Sequence, residues 1–220
     1  MVDRSTWLKE RRKMAEYRYD AIFSRDYDEK YGRIDPTHRQ FVKKLLSLSP
    51  AGCTVLDAAC GTGKYWSMIR DSGRSVVGTD QSSEMLKLAA KKHPGVPTAK
   101  IGLQEMTYTD EFFAIMCVDA MENVPPEDWA LVLGNFGRAL KSGGYLYFTV
   151  EVAEESEIQE AYRRAREMGL PVVRGEYAHH GGYHYYPRPE QVERWVAQSG
   201  LEIVEKSVGD GYLHYLVRKD

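Results

Sequence analysis

The amino-acid sequence predicts an α/β fold in which an open, mostly parallel sheet carries helices on both faces. Between residues 36 and 152, apolar β-branched segments alternate strictly with helical patterns, an order typical of parallel sheets with right-handed crossovers. Residues 112–118 read FFAIMCV, as expected of a strand buried on both faces. Near the C-terminus, two strand patterns flank Gly209-Asp210-Gly211, which predicts an antiparallel hairpin.

The elements of the first 152 residues follow from local patterns. Residues 3–31 carry a helix-like pattern followed by a tyrosine-rich segment. Asp35 and Pro36 are typical of an N-cap and a first helical position, and they predict a helix over 36–48. Strands are predicted at 54–59, 75–80, 98–103, 112–118 and 145–152, and helices at 63–72, from Met85 to before Pro94, and from Pro125 to Gly143.

Beyond residue 152 the strict alternation stops. Residues 154–169 predict an amphipathic helix, and Pro189 to Gly200 predict another. The segment 170–188 between them shows no clear periodicity and is rich in Tyr, His and Gly. We therefore treat 170–188 as a loop.

Composition limits the partners and the location that we expect. The 220 residues carry a formal net charge of -2, which predicts no basic surface for nucleic acid. No apolar run approaches the roughly 20 residues that span a bilayer, and no signal-peptide core is evident. The three cysteines, an odd number, argue against a disulfide framework. We expect a cytoplasmic monomer or homodimer without membrane or nucleic-acid partners.

The stretch Thr54–Tyr65, TVLDAACGTGKY, carries the strongest functional signal. A strand that passes through a glycine turn into a helix presents backbone N–H groups and a positive dipole end to a ligand. Gly61 and Gly63 supply the backbone freedom that such a turn needs. Ligands of open α/β sheets bind beyond the carboxyl ends of the strands, so Gly61, Asp80 and residues 117–119 are expected at one crevice.

The turn departs from the dinucleotide-binding pattern G-x-G-x-x-G. Trp66 stands where a third glycine would allow the helix to pack closely on the strand, which argues against a nicotinamide-dependent oxidoreductase. Four landmarks in order, VLDAACGTG, VVGTD, FFAIMCVDAMENVPPEDW and LKSGGYLYFTVE, instead resemble the class I S-adenosylmethionine-dependent methyltransferases. The resemblance covers residues 50–152 in motif detail and the terminal hairpin more loosely.

The resemblance implies a Rossmann-like sheet of seven strands, with the last strand antiparallel beside the fifth. It implies a single methyltransferase domain over residues 1–220. Residues 1–48 would form an N-terminal helical cap, and 153–188 would form an insertion that acts as a lid over the acceptor. The implied cofactor is S-adenosyl-L-methionine, and the product is S-adenosyl-L-homocysteine.

The family pattern, carried over by position, implies a set of cofactor-binding residues. The backbone from Ala59 to Gly63, which includes Gly61, would pass beneath the methionine moiety. Asp80 would accept hydrogen bonds from both ribose hydroxyls, as a carboxylate can. Members of the family often carry an acidic residue that contacts the adenine edge, and this acid is missing at 102–103. We expect the Leu103 backbone and the Gln104 side chain to contact the adenine in its place. The other members are Asp57 to organise the turn, Gln81 and Met85 beside the adenine, Cys117 beside the cofactor, and Tyr19 or Tyr27 as a flap, unless these tyrosines pack on the sheet edge.

The acceptor site is expected in the segment EYAHHGGYHYYP at 176–187, because functional residues concentrate on loops of a rigid α/β scaffold. His180 or His184 is our candidate general base, and an ordinary loop histidine is the alternative. The residues expected to line the acceptor pocket are Tyr183, His184, Tyr185 and Tyr186.

Two further patterns bear on the chemistry. Asn123 stands where many small-molecule relatives carry the histidine of A-L-E-H-V, so it can orient a substrate but cannot take a proton at neutral pH. His180 and His184 have metal-ligand spacing, but no third ligand is evident, and we expect no metal site.

These features predict metal-independent methyl transfer to oxygen or nitrogen of a small-molecule acceptor by in-line displacement. The Tyr- and His-rich segment favours an aromatic or amphipathic acceptor. The alternative is a non-catalytic S-adenosylmethionine-binding or scaffolding protein of the same fold, which the intact glycine turn and Asp80 disfavour.

Overall fold

The computed structural model describes residues 2–179 and 182–220. None of the helices in these ranges is both long enough and apolar enough to cross a membrane. The described helices are α1 (Arg4–Ala21), α2 (Tyr27–Tyr31), α3 (Pro36–Leu48), α4 (Trp66–Asp71), α5 (Ser83–Lys92), α6 (Trp129–Ala139), α7 (Glu155–Glu167) and α8 (Pro189–Gln198).

Strands of the described chain form a seven-stranded sheet in the order β3-β2-β1-β4-β5-β9-β8. Strands β1 to β5 pair in parallel, and β9 runs antiparallel to both β5 and β8. The predicted Rossmann-like α/β fold, with the last strand beside the fifth, is confirmed. The strands are β1 (Thr54–Ala58), β2 (Ser75–Asp80), β3 (Thr98–Lys100), β4 (Phe112–Cys117), β5 (Leu140–Glu151), β6 (Glu176–His179), β7 (Gly182–Tyr185), β8 (Leu201–Gly209) and β9 (Tyr212–Lys219).

Alternate residues of the central strands bury against helices on opposite faces. Leu56 of β1 belongs to the core cluster that contains Phe136 of α6. Its neighbour Val55 belongs to the cluster that contains Phe41 of α3. Because strand side chains alternate between faces, this division confirms helices on both sides of the sheet.

The segment 170–188, treated as a loop from its sequence, contains the antiparallel pair β6 and β7. The strand period was hidden because both faces of β7 carry polar atoms, and its stability comes from distant contacts. The ring of Tyr183 meets Trp7 of α1 edge-on with centroids 5.8 Å apart, and Tyr185 meets Trp129 at 6.5 Å.

Several predicted boundaries differ from the structure. β3 ends at Lys100 rather than at residue 103, and the helix predicted from Pro125 begins at Trp129. Two further differences concern glycines. α4 begins at Trp66 rather than at residue 63, because Gly63 has a left-handed φ of 73° that a helix cannot continue through. β5 begins at Leu140, directly after α6, so Gly143 lies within the strand instead of ending a helix.

Candidate active site

The turn after β1 and the end of β2 are joined by one carboxylate. Asp80 Oδ2 accepts a hydrogen bond of 2.9 Å from the backbone N–H of Gly61, and Oδ1 accepts one of 2.8 Å from that of Ser82. The Asp80 residue is 9% exposed, and burial raises the pKa of its carboxyl. Ala59 and Gly61 both have left-handed φ values, of 57° and 52°, so the turn coils tightly around this carboxylate.

Trp66 fills the space that a third glycine would leave open in a dinucleotide site. Its buried indole Nε1 donates to Asp57 Oδ2 at 2.8 Å. Two glycines make room for the ring: a Cβ on Gly63 would lie 2.6 Å from it, and one on Gly78 would lie 2.3 Å away. Burial raises the pKa of Asp57 to about 7. The bond from Trp66 to Asp57 therefore links the start of α4 to β1 across the turn, a contact that the sequence pattern did not reveal.

A cavity of about 600 Å³ extends from this turn to α1. Its volume lies within the range of small-molecule sites, roughly 300–1,000 Å³. Of the predicted cofactor-binding residues, Met85 and Cys117 are fully buried outside its lining, and Gly63 also lies outside it. The predicted cofactor-binding residues on the cavity wall are Tyr19, Tyr27, Asp57, Ala59, Gly61, Asp80, Gln81, Leu103 and Gln104.

Helix α1 covers the cavity and is held at both ends. Near its start, Arg4 pairs with Glu176 at 2.8 Å and also with Glu127. Near its end, Asp20 Oδ1 accepts bonds of 2.6 Å from Ser82 Oγ and 3.1 Å from the N–H of Glu84. The helix thus bridges the β6–β7 side of the cavity and the start of α5.

The two tyrosines predicted as a flap both line the cavity. The Tyr27 ring lies 3.8 Å from where a Cβ of Gly61 would stand, and the Tyr19 and Tyr27 ring centroids are 6.4 Å apart. Burial raises the pKa of both phenols. Asp28 accepts bonds from Thr62 and Lys92, so α2 is tied to the turn beside these rings.

Asp119, which the sequence placed at the crevice, lines the cavity together with Lys64, and the buried His38 lies behind them; sequence reasoning missed both partners. Asp119, with a left-handed φ of 54°, lies 3.3 Å from Lys64 Nζ and 3.1 Å from His38 Nε2. Burial works to raise the pKa of Asp119, but His38 and Lys64 outweigh it and hold the pKa below its ordinary value. The position of Asp119 directly after β4 was the available signal, whereas the partner His38 comes from a distant helix.

Asn123 lines the cavity beside a buried acid. Its Nδ2 donates to Glu122 Oε1 at 3.2 Å. Glu122 is 5% exposed, and burial raises its pKa to about 8. Within the described ranges its Oε2 has no hydrogen-bond partner. Asn123 is therefore backed by a buried carboxyl whose burial favours the protonated form.

Of the four residues predicted to line the acceptor pocket, Tyr183 is the one among the cavity-lining residues; His184, Tyr185 and Tyr186 are not. Tyr183 lines the cavity, and its hydroxyl donates to Glu176 Oε1 at 2.6 Å. Tyr185 is buried against Trp129, outside the lining. His184, on the opposite face of β7, also lies outside it. A strand period of two cannot turn neighbouring side chains to one pocket.

His184 lies in a polar group of its own. Its Nδ1 is 2.7 Å from Glu151 Oε2, and the Tyr186 hydroxyl donates to the same carboxylate at 3.1 Å. Burial works to lower the pKa of His184, but Glu151 and Glu122 raise it above its ordinary value. His180 lies outside the described residues. Among those described, no group of three His, Cys, Asp or Glu side chains is placed to hold a metal ion.

Comparison with known families gives a match over most of the chain. The sequence model of a methyltransferase domain matches residues 9–206. The malonyl-[acyl-carrier protein] O-methyltransferase of Pectobacterium atrosepticum is 31% identical over 141 residues, 61% of this chain and 54% of the relative. The match therefore spans about half the length of that relative. The ubiquinone biosynthesis O-methyltransferase of Methylococcus capsulatus is 25% identical over 185 residues, 81% of this chain and 74% of the relative.

Solved structures share the fold. A methyltransferase from Methanosarcina mazei superposes with a TM-score of 0.67 at 18% identity, covering 84% of this chain and 98% of that one. The magnesium protoporphyrin IX methyltransferase of Synechocystis PCC 6803 superposes with a TM-score of 0.66 at 16% identity, covering 96% and 100%. With the family match over residues 9–206, the chain belongs to the methyltransferase-domain family, among the class I S-adenosylmethionine-dependent methyltransferases that its motifs resemble.

Proposed function

We propose that this enzyme transfers a methyl group from S-adenosylmethionine to oxygen or nitrogen of a small-molecule acceptor, without a metal ion. The observation that carries the proposal is the cavity of about 600 Å³ between the Gly61 turn and α1. The relatives named for malonyl-[acyl-carrier protein] and for ubiquinone biosynthesis, both O-methyltransferases, support a small acceptor and favour oxygen.

The residues at one end of the cavity fit the cofactor. The cavity reaches the backbone at Ala59 and Gly61, and the buried Asp80 carboxylate lies beside them. We propose that Asp80 binds the ribose hydroxyls, that Gln81 and the Leu103–Gln104 segment lie along the adenine, and that Tyr19 and Tyr27 cover the methionine end. When bound, the cofactor supplies a methyl group on a positively charged sulfur.

The protein's own task is positioning and exclusion of water. In-line displacement is accelerated chiefly by holding the two reactants in line at close range. Helix α1, tied down through Arg4 and Asp20, covers the reacting space. We propose that residues 1–48 act as a cap and 153–188 as an acceptor lid. Tyr183 and Asn123, which line the cavity, would orient the acceptor.

A metabolite screen tests this function. Purified protein is incubated with S-adenosylmethionine and small-molecule fractions, and products are detected by a mass gain of one CH₂ unit. We expect at least one acceptor to be methylated, with the rate unchanged by a metal chelator. Saturable cofactor binding with no product from any fraction would instead favour the non-catalytic alternative.

A further inference from the structure

Helix α1 turns a row of cations toward the cavity. Residues three, four, seven or eight positions apart share a helix face, so Leu8, Arg11 and Arg12 lie on the face of Arg4, whereas Lys9 reaches the cavity from the flank of the helix. The cavity-lining cations of this helix are Arg4, Lys9, Arg11 and Arg12, and the apolar Leu8 lies among them.

Two of these four cations are neutralised by carboxylates across the cavity mouth. Arg4 pairs with Glu127 and with the buried Glu176. Arg12 pairs with Glu105, next to Gln104. These pairs hold the helix in place. The charges of the other two cations are not compensated by a contacting carboxylate.

Lys9 and Arg11 have no carboxylate partner within residues 2–179 and 182–220. The Arg11 guanidinium carbon lies 5.9 Å from the centroid of the Trp7 ring. Its Nε is buried and has no hydrogen-bond acceptor among the described residues. A buried N–H without an acceptor is unfavourable, and an oxygen of a bound ligand would satisfy it.

The wall opposite these cations is largely apolar. Ile101, Val124 and Pro125 line it. Asp128 is the acidic group of this wall that makes no ion pair with a described residue; it accepts a bond of 3.3 Å from Gln104 Nε2. The mouth of the cavity therefore combines an apolar corridor with two unpaired cations and one opposing carboxylate.

We infer that the methyl acceptor is an amphipathic anion. Its apolar body lies against Leu8, Val124 and Pro125, and its carboxylate or phosphate group binds Arg11. Lys9, two positions away on the other flank of the helix face, adds positive charge to the cavity without contacting the same group. The guanidinium fork suits the planar oxygens of such groups. This inference rests on the proposed function, because it assumes that the acceptor enters the cavity beneath α1.

Calorimetry with a matched pair of probes tests the inference. Protein saturated with S-adenosylhomocysteine is titrated with 3-phenylpropanoate and with 3-phenylpropanamide, which differ in charge but little in size. We expect the acid to bind about tenfold more tightly, as a charge-assisted contact predicts. A parallel titration with 3-phenylpropyl phosphate shows which anionic group the site prefers.

Variants locate the effect. The double variant Lys9→Gln/Arg11→Gln should abolish the preference for the acid while leaving amide binding unchanged. Lys9→Gln alone, at an exposed position, should weaken binding of the acid about threefold. Lys13→Gln is the control, because Lys13 pairs with Glu10 outside the cavity lining. Asp128→Asn removes the opposing charge and should tighten binding of the acid.

The outcomes distinguish failure of the anionic acceptor from failure of the proposed function. Acid binding that is absent or no tighter than amide binding, or a preference that survives in the double variant, overturns the anionic acceptor. Failure of S-adenosylhomocysteine itself to bind refutes the proposed function instead.

Discussion

Asp80 holds the backbone N–H of Gly61 at 2.9 Å, and this contact joins two strand ends that are 19 residues apart in the chain. The bond lies on the cavity wall, with both residues among its lining. The same carboxylate also receives the N–H of Ser82. Asp80 is thus oriented by backbone donors before any ligand arrives.

Replacing Asp80 tests the ribose contact. Asp80→Ala should weaken S-adenosylmethionine binding by ~1.5–3 kcal/mol, the range for a hydrogen bond to a charged group. Isothermal titration calorimetry measures the change, and circular dichroism checks that the fold persists. Asp71→Ala, at an exposed position at the end of α4, should bind as the wild type does. An unchanged affinity in Asp80→Ala would contradict the assignment of Asp80 to the ribose hydroxyls.

The packing of Trp66 against Gly63 predicts a difference between two glycine substitutions. Gly63→Ala and Gly73→Ala both place a Cβ at a left-handed φ, of 73° and 77°, which costs roughly 1–2 kcal/mol. The Gly63 Cβ would also overlap the indole, whereas that of Gly73 meets nothing within 4 Å. Urea unfolding should show Gly63→Ala less stable than Gly73→Ala by about 1–3 kcal/mol. Equal stabilities would contradict the tight fit.

The raised pKa of Glu122 predicts a pH-dependent stability. Between its ordinary 4.5 and about 8, the folded state keeps a proton that the unfolded chain releases. The free energy of unfolding should therefore fall as pH rises through this window, by up to about 1.4 kcal/mol per pH unit from this group.

Glu122→Gln isolates that contribution in urea unfolding from pH 5 to 8. The variant should lose less stability over the range than the wild type does. The exposed Glu157→Gln should keep the wild-type slope. Asp57, whose pKa is raised to about 7, adds a slope of the same sign in all three proteins. Parallel curves for Glu122→Gln and wild type would rule the effect out.

Asp20 anchors the end of α1, so its replacement should loosen the helix that covers the cavity. Asp20→Ala removes the acceptor for Ser82 Oγ and the Glu84 N–H, a loss of about 1 kcal/mol by analogy with helix caps. Hydrogen-exchange mass spectrometry should show faster exchange over residues 4–21. Glu10→Ala, on the exposed side of the same helix, is the control. Identical exchange in both variants would show that Asp20 does not hold the helix.

His184 is the described candidate for a general base, and Glu151 holds its Nδ1 at 2.7 Å. Because His184 lies outside the cavity lining, and a general base must reach the proton that it takes, His184→Asn should leave kcat within a few-fold of the wild type. Glu151→Gln, which keeps the imidazole, should behave in the same way. A hundredfold loss of kcat in His184→Asn alone, with cofactor affinity unchanged, would show that the imidazole does act as the base.

Much of the fold followed from the sequence because its signals are local. The run of residues 112–118 and the helix over 36–48 were recognisable from period and capping, and both appear at the predicted places. The β6–β7 pair was not recognised, because Tyr183 and Tyr185 owe their burial to Trp7 and Trp129, far away in the chain.

In the candidate site, too, some features could be predicted from the sequence and others could not. The sequence by itself determined the glycine turn and the acid at the end of β2. Trp66 in place of a third glycine argued against a dinucleotide site, and the resemblance of the four landmarks to the methyltransferases implied the cofactor. These are properties of short segments, whose residue types dictate backbone conformation directly.

Only the tertiary structure decided which side chains face the cavity. It joins Asp119 to Lys64 and His38, which come from three separate parts of the chain, and it turns Tyr183 toward the cavity and His184 away. Such placements depend on the packing of whole elements, above all of α1 against α5 and β7. No local pattern encodes where two distant surfaces will meet.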